Sequence, residues 1–255
     1  MEDILNRNVY QMRTCTIASH KTFGASHVTI KAVVFDLDGT LAEFNLDYKI
    51  VRAEVIQFLI NQSFPASIFS IKESIFEMLK KAKVYMKNNG KEEQEFYTIQ
   101  KHVLSIALKH ELKAAHGTSI LPGVFEMLKT LKKMDLKLAI FTINSKKSTD
   151  YILNNFHIKQ FFDVVVTREA VSKVKPDPSH LAAALKTLDV NVDEVVVVGD
   201  SIVDMRSAKA LNAAAVGVAT DSDLVKELNY AGAMHIIKSI TSLPTLITQL
   251  DKNKS

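Results

Sequence analysis

Six polar residues lie at or beyond the ends of apolar runs: Asp36 and Asp38 after KAVVF, Thr142 after LKLAIF, Lys175 in KVKPDP of the segment that follows FDVVVT, and Asp200 and Asp204 in GDSIVD after EVVVV. A carboxylate can attack a phosphoryl group and form a covalent acyl phosphate, which splits hydrolysis into two easier steps. A second acid within reach can protonate the leaving oxygen and afterwards take a proton from water. Carboxylates two residues apart repel each other, and several of them around phosphate oxygens need a hard divalent cation; Mg²⁺ with oxygen ligands is expected. A Lys ammonium and a Thr hydroxyl suit the remaining phosphate oxygens. Gly39 and Gly199 allow a tight turn or a close approach of backbone to ligand.

Chemistry of this kind needs elements that bring distant residues to one edge. Lys31 to Asp36 is too short and too β-branched for a helix and reads as a buried strand. Similar runs follow at Leu136 to Thr142, Phe162 to Thr167, Glu194 to Asp200 and Ala213 to Thr220, with a weaker one at His235 to Lys238. Their nearly continuous apolar character is that of parallel strands covered on both faces. Helical patterns lie between them, at Val124 to Met134, Ser148 to Phe156, Pro178 to Leu188, Asp204 to Leu211 and Asp223 to Ala231. The alternation predicts an α/β fold, a doubly wound parallel sheet, and such sheets bind ligands beyond the carboxyl ends of their strands.

Residues 45–119 break the alternation with three helical patterns in succession, Asp47 to Asn61, Ser67 to Asn88 and Glu92 to Ala115. An all-helical domain inserted after the first strand is expected there, joined near Glu43 to Asp47 and Thr118 to Leu121. Residues 30–44 and 120–250 would then form the core, with a tail over 251–255 and an extension over 1–29. That extension is sparse in acids, and Met12 or Val28 is an alternative start.

Hydrophobic content of 47% with 24% charged residues is ordinary globular composition. The net charge of +4 comes with no dense basic stripe interleaved with aromatics, which argues against a nucleic-acid partner. No run approaches the roughly 18 apolar residues of a membrane span. Cys15 is the single cysteine, so an intrachain disulfide and a Cys-based zinc cluster are excluded, and a cytoplasmic location is expected. Oligomeric state is left open.

The ordered succession Asp-Leu-Asp-Gly-Thr, Thr142, Lys175 before Pro176, and Gly199-Asp200-x-x-x-Asp204 resembles the haloacid dehalogenase superfamily of phosphohydrolases. The resemblance runs from Lys31 to about Leu250, and the helical insert is similar to the cap of one large, phosphoglycolate phosphatase-like branch. It implies a Mg²⁺-dependent phosphatase acting on a small phosphorylated metabolite. Asp36 would be the nucleophile and Asp38 the general acid and base. Thr142 and Lys175 would bind the transferring phosphate. Asp36, Asp38 through its backbone carbonyl, and Asp200 would bind the metal, with Asp204 as a further or outer acid. Dehalogenating and phosphonate-cleaving members lack an acid at the Asp38 position, so a phosphate ester is implied. Two departures leave the substrate open: Ala42-Glu43-Phe44 replaces the usual Asp-Ser pair, and Ile143 separates Thr142 from Asn144. The alternatives are a phosphomutase of the same superfamily and a phospho-accepting receiver domain.

Blander roles compete at some positions. Asp204 could simply complement a helix dipole, and Lys173 competes with Lys175. His102 and His110 are two turns apart on one helix, with Glu111 a residue away on another face, so solvated or half-buried histidines are expected rather than a metal set. Which of Tyr48, Arg52, Lys72, Tyr85 and Phe96 face the core is not legible from spacing.

Overall fold

The structure is a computed structural model that describes residues 29–43 and 45–253. The expected extension over 1–29, except Thr29, lies outside the described residues, as do Cys15 and both alternative starts. In chain order the elements are β1 (Ala32–Phe35), β2 (Ala42–Glu43), α1 (Tyr48–Asn61), α2 (Ile75–Asn88), α3 (Glu93–His116) and β3 (Ser119–Ile120). Then come α4 (Val124–Lys133), β4 (Lys137–Phe141), α5 (Lys146–Asn155), β5 (Val164–Val166), α6 (Pro178–Leu188) and β6 (Val195–Gly199). The chain ends with α7 (Ile202–Leu211), β7 (Ala214–Val218), α8 (Ser222–Ala231), β8 (His235–Ile237) and α9 (Leu243–Asn253).

The main sheet is six-stranded and parallel throughout, in the order β5-β4-β1-β6-β7-β8. Strand alternation divides its side chains between two cores. Val33 and Phe35 of β1, Leu138 and Ile140 of β4, and Val196 and Val198 of β6 pack on one face with α4, α5 and α9. Ala32 and Val34, Ala139 and Phe141, and Val195 and Val197 pack on the other with α6, α7 and α8. Every residue of β6 is buried, and each such Val contributes roughly 1.5–3 kcal/mol relative to exposure. The doubly wound parallel sheet read from the alternation is therefore the fold.

Helices α1, α2 and α3 form a core of their own from Val55, Leu59, Met78, Leu79, Phe96 and Val103 among others. The two crossings between these helices and the sheet are held to each other by antiparallel pairing of β2 with β3. Thr118 Oγ1 donates to the Glu43 carbonyl, and Ser119 Oγ donates to Glu43 Oε2 at 2.9 Å.

Three expectations are corrected. The helix expected from Ser67 begins at Ile75, because Ser74 caps it by accepting from the Glu77 N–H at 3.2 Å. A 3₁₀ turn at Ala66–Ile68 and an edge contact of Phe69 with Phe64 hold the preceding segment instead. The tail expected over 251–255 is helical to Asn253, and Asp251 Oδ1 accepts from the Ile30 N–H at 2.9 Å. Helices α5 and α7 each begin two residues early, at the caps Ser145 and Ser201.

Candidate active site

Strands β1 and β6 are neighbours whose onward connections run to opposite sides of the sheet, β1 to β4 and β6 to β7. The crevice at such a point is where open α/β sheets take ligands. Asp36 follows β1 and donates its N–H to the Val198 carbonyl at 2.9 Å, while Asp200 follows β6. Gly39 turns the chain after β1 with φ 74°, and a Cβ there would lie 2.0 Å from Asp200 Oδ2. A Cβ on Gly199 would lie 2.5 Å from Asp204 Oδ2. Both glycines are thus required by the approach of a carboxylate, and Gly39 by its left-handed backbone as well.

Asp36, Asp200 and Asp204 each offer a carboxylate oxygen within 4.8 Å of the others. Lys175 Nζ donates at 2.6 Å to Asp36 Oδ1 and at 2.6 Å to Asp204 Oδ1, and sits 4.3 Å from the centroid of the Phe141 ring. One ammonium against three carboxylates leaves two negative charges uncompensated. Burial, and then repulsion from Asp204, hold Asp36 well above the usual carboxylate range despite Lys175. Asp200 is pushed up to about 6 by burial and by Asp204. Burial pulls Lys175 down, but Asp204 and Asp36 outweigh it and keep the amine charged. Hard oxygen donors, a residual negative charge and mutual reach suit a divalent cation of the Mg²⁺ type.

Contacts distinguish the competing positions. Asp204 is fully buried and engages both oxygens, Oδ1 with Lys175 and Oδ2 with the Ser201 N–H at 3.1 Å and the Ser201 hydroxyl. It is a helix-start acid and a member of the cluster at once. Lys173 is exposed and pairs with Asp177 at 3.6 Å, so Lys175 is the lysine at the cluster. Thr40 Oγ1 donates to Asp200 Oδ1 at 3.4 Å and braces the turn.

Asp38 and Thr142 meet through a residue that the sequence reading noted only as a departure. Asn144 Nδ2 donates to Asp38 Oδ1 at 2.9 Å, and the Asn144 N–H donates to Thr142 Oγ1 at 3.2 Å. Burial raises Asp38 to about 7, against the Asn144 hydrogen bond and Lys175, which pull it down. Its acid form is thus within reach near neutrality.

Three further residues were missed. His180 is buried; its Nδ1 accepts from the Lys175 N–H at 3.2 Å, and its Nε2 therefore carries the proton, 3.3 Å from the Val166 carbonyl. Burial and Lys175 lower its pKa to about 4, so it stays neutral and fixes the Lys175 backbone. Glu111 and Arg168 form a buried ion pair between α3 and the segment after β5. Glu111 was set aside for lying off the histidine face; that same offset turns it toward the sheet. The histidines have other partners: His102 Nδ1 meets the Thr98 carbonyl and His116 Nδ1 that of Leu112 within α3, and His110 Nε2 reaches across to Glu54 of α1 at 2.6 Å.

A cavity between α1, α3 and the segment after β4 is lined by Tyr48, Arg52, Phe76, Ala107, Glu111 and Asn144 among others. Of the five side chains left open, Tyr48 and Arg52 line it. Lys72 is exposed, Tyr85 packs on Phe64, and Phe96 is buried with α2. Tyr48 is 38% exposed, and burial, followed by the charges of Asp38, Asp36, Glu111 and Asp200, raises its pKa. Arg52 donates to the Ile71 carbonyl at 3.3 Å, and no acid among the described residues pairs with it.

Comparison with known proteins gives the family. The chain is 30% identical over 204 residues to the pyrophosphatase PpaX of Halalkalibacterium halodurans, covering 74% of this chain and 85% of the relative. It is 27% identical over 205 residues to a phosphoglycolate phosphatase of Colwellia psychrerythraea, covering 79% and 90%. The structure of a hydrolase from Pseudomonas syringae superposes with a TM-score of 0.60 at 25% identity, covering 86% of this chain and 99% of that one. Residues 33–218, which hold every element of the acid cluster, match the model of the haloacid dehalogenase-like hydrolases. The chain belongs to that family of enzymes, on its phosphatase branch.

Proposed function

We propose that this enzyme is a Mg²⁺-dependent phosphatase that hydrolyses a small phosphorylated metabolite through an aspartyl-phosphate on Asp36. The observation that carries the reading is Lys175 Nζ at 2.6 Å from both Asp36 and Asp204, beside Asp200, at the mouth of adjacent strands. Lys175 would screen the phosphoryl oxygens and hold Asp36 in line, with Thr142 at the neighbouring strand end. Asp38, near 7 and turned by Asn144, would protonate the leaving oxygen and then deprotonate the attacking water. Asp36, Asp200 and the Asp38 carbonyl, with Asp204 behind them, would hold the cation. Bound there, it would offset negative charge on the transferring group.

Helices α1 to α3 would serve as the recognising cap. Arg52 has no acidic partner among the described residues and stands on an otherwise mostly apolar wall, which favours a leaving group that carries an anionic group of its own. Pyrophosphate and phosphoglycolate, the substrates in the names of the two relatives, both meet that description. Arg52→Met is expected to raise KM about 10- to 100-fold for such substrates, the worth of a charged hydrogen bond, and to change it little for monoesters with neutral leaving groups. An equal effect on both classes would remove Arg52 from recognition.

The test of the whole reading is a screen of phosphorylated metabolites for phosphate release, with and without Mg²⁺ and with Asp36→Asn as blank. Release that needs Mg²⁺ and vanishes in the blank is expected. Isomerised product appearing only with a bisphosphate activator would favour the phosphomutase alternative.

A further inference from the structure

We infer that Glu111, on a helix of the inserted segment, is a positioning residue for Asp38, acting through the segment from Ile143 to Lys146. The inference rests on the reading of Asp38 as general acid and base. Arg168 Nη1 donates to the Ile143 carbonyl at 3.3 Å, and the Arg168 N–H donates to the Asn144 carbonyl at 3.3 Å. The Asn144 N–H is taken by Thr142 Oγ1 at 3.2 Å, the Ser145 N–H by Glu111 Oε2 at 3.1 Å, and the Lys146 N–H by Glu169 Oε2 at 3.0 Å. Five backbone groups between Ile143 and Lys146 are thus held by partners outside the helix that Lys146 begins. The side chain they aim is Asn144, whose amide donates to Asp38 Oδ1 at 2.9 Å.

Glu111 is the one member of this scaffold that comes from α3, and it serves twice. One oxygen caps the start of α5, where free N–H groups favour a carboxylate. The other pairs with Arg168 and so fixes the group that holds Ile143. Glu111 is 4% and Arg168 7% exposed, and a buried charge pair is an expensive way to pack a helix unless its geometry is needed. Docking of α3 thereby sets the direction of Asn144 and, through it, the carboxyl that moves the proton. The inserted segment would complete the proton-transfer machinery as well as the recognition surface.

The test compares kcat/KM, which covers only the steps through departure of the leaving group, for two substrates. p-Nitrophenyl phosphate has a leaving group that needs little protonation, whereas the best alkyl phosphate from the metabolite screen needs it fully. For Glu111→Gln, kcat/KM is expected to fall about 30-fold more on the alkyl ester than on the aryl ester. Asn144→Ala should show the same selectivity, and the double variant should lose no more than the greater single loss. If Glu111→Gln does not fold, Glu111→Gln with Arg168→Met, which leaves no lone buried charge, is measured in its place with the same expectation. Equal losses on both substrates, or losses that multiply with Asn144→Ala, would overturn the inference when Asp38→Asn itself is selective. An Asp38→Asn variant that is equally slow on both substrates would instead overturn the role given to Asp38, and with it the basis of the relay.

Discussion

Asp36→Asn is expected to lower kcat by about 10⁴- to 10⁶-fold, because an amide neither attacks phosphorus nor leaves from it, so the two-step route closes. That range corresponds to roughly 5–8 kcal/mol of activation free energy. Stability should move the other way or not at all. The folded environment raises the Asp36 pKa, chiefly by burial and by Asp204, so the protonated group favours the fold below its unfolded pKa, and that contribution is lost, with ionised Asp36 costing stability, as pH rises through the folded pKa. A neutral isostere removes that cost at neutral pH, although it also weakens the contact with Lys175. Thermal unfolding monitored by circular dichroism should give a Tm within a few degrees of the parent. Substantial turnover by a clean preparation of the variant would sink the covalent mechanism.

Lys175→Met should damage both activity and stability. The ammonium is buried and touches Asp36 and Asp204, and without it the acids face one another with no other cation among the described residues in contact. Removing one partner of a buried charge group costs about 3–5 kcal/mol, and removing a preorganised donor to a transferring oxyanion costs about 10²- to 10³-fold in rate. The cluster should then lean more heavily on an added cation. Mg²⁺ titrated against Tm is therefore expected to stabilise Lys175→Met by more degrees than the parent, by mass action on a site used only in the folded state. A variant with the parental Tm and the parental response to Mg²⁺ would show that Lys175 does not balance these carboxylates.

The candidate residues Asp36, Thr142 and Asp200 were legible because each follows a run whose pattern is local. β-Branched apolar stretches such as EVVVVGD mark a strand buried on both faces, and the acid at its end is then at the ligand-binding edge. Local pattern failed where competing signals were also local but weaker. The segment before Ile75 carries helical spacing, yet the Ser74 cap and the Phe64–Phe69 contact set a later start. Strands β2 and β3 have two residues each, too short for any period to register.

The sequence by itself determined the parallel sheet, the alternation of strands and helices along the chain, the inserted helical stretch, and the acids and the Thr that follow the strands. Only the tertiary structure decided how they are joined: that Lys175 rather than Lys173 reaches the acids, that Asn144 turns Asp38, and that His180, Glu111 and Arg168 hold the holders. The physical reason is separation along the chain. Glu111 lies 57 residues from Arg168, and Lys175 lies 139 from Asp36, so these contacts exist only once the sheet has assembled and α3 has docked beside it. Periodicity reports which face a side chain is on; what that face meets is a property of the packed whole.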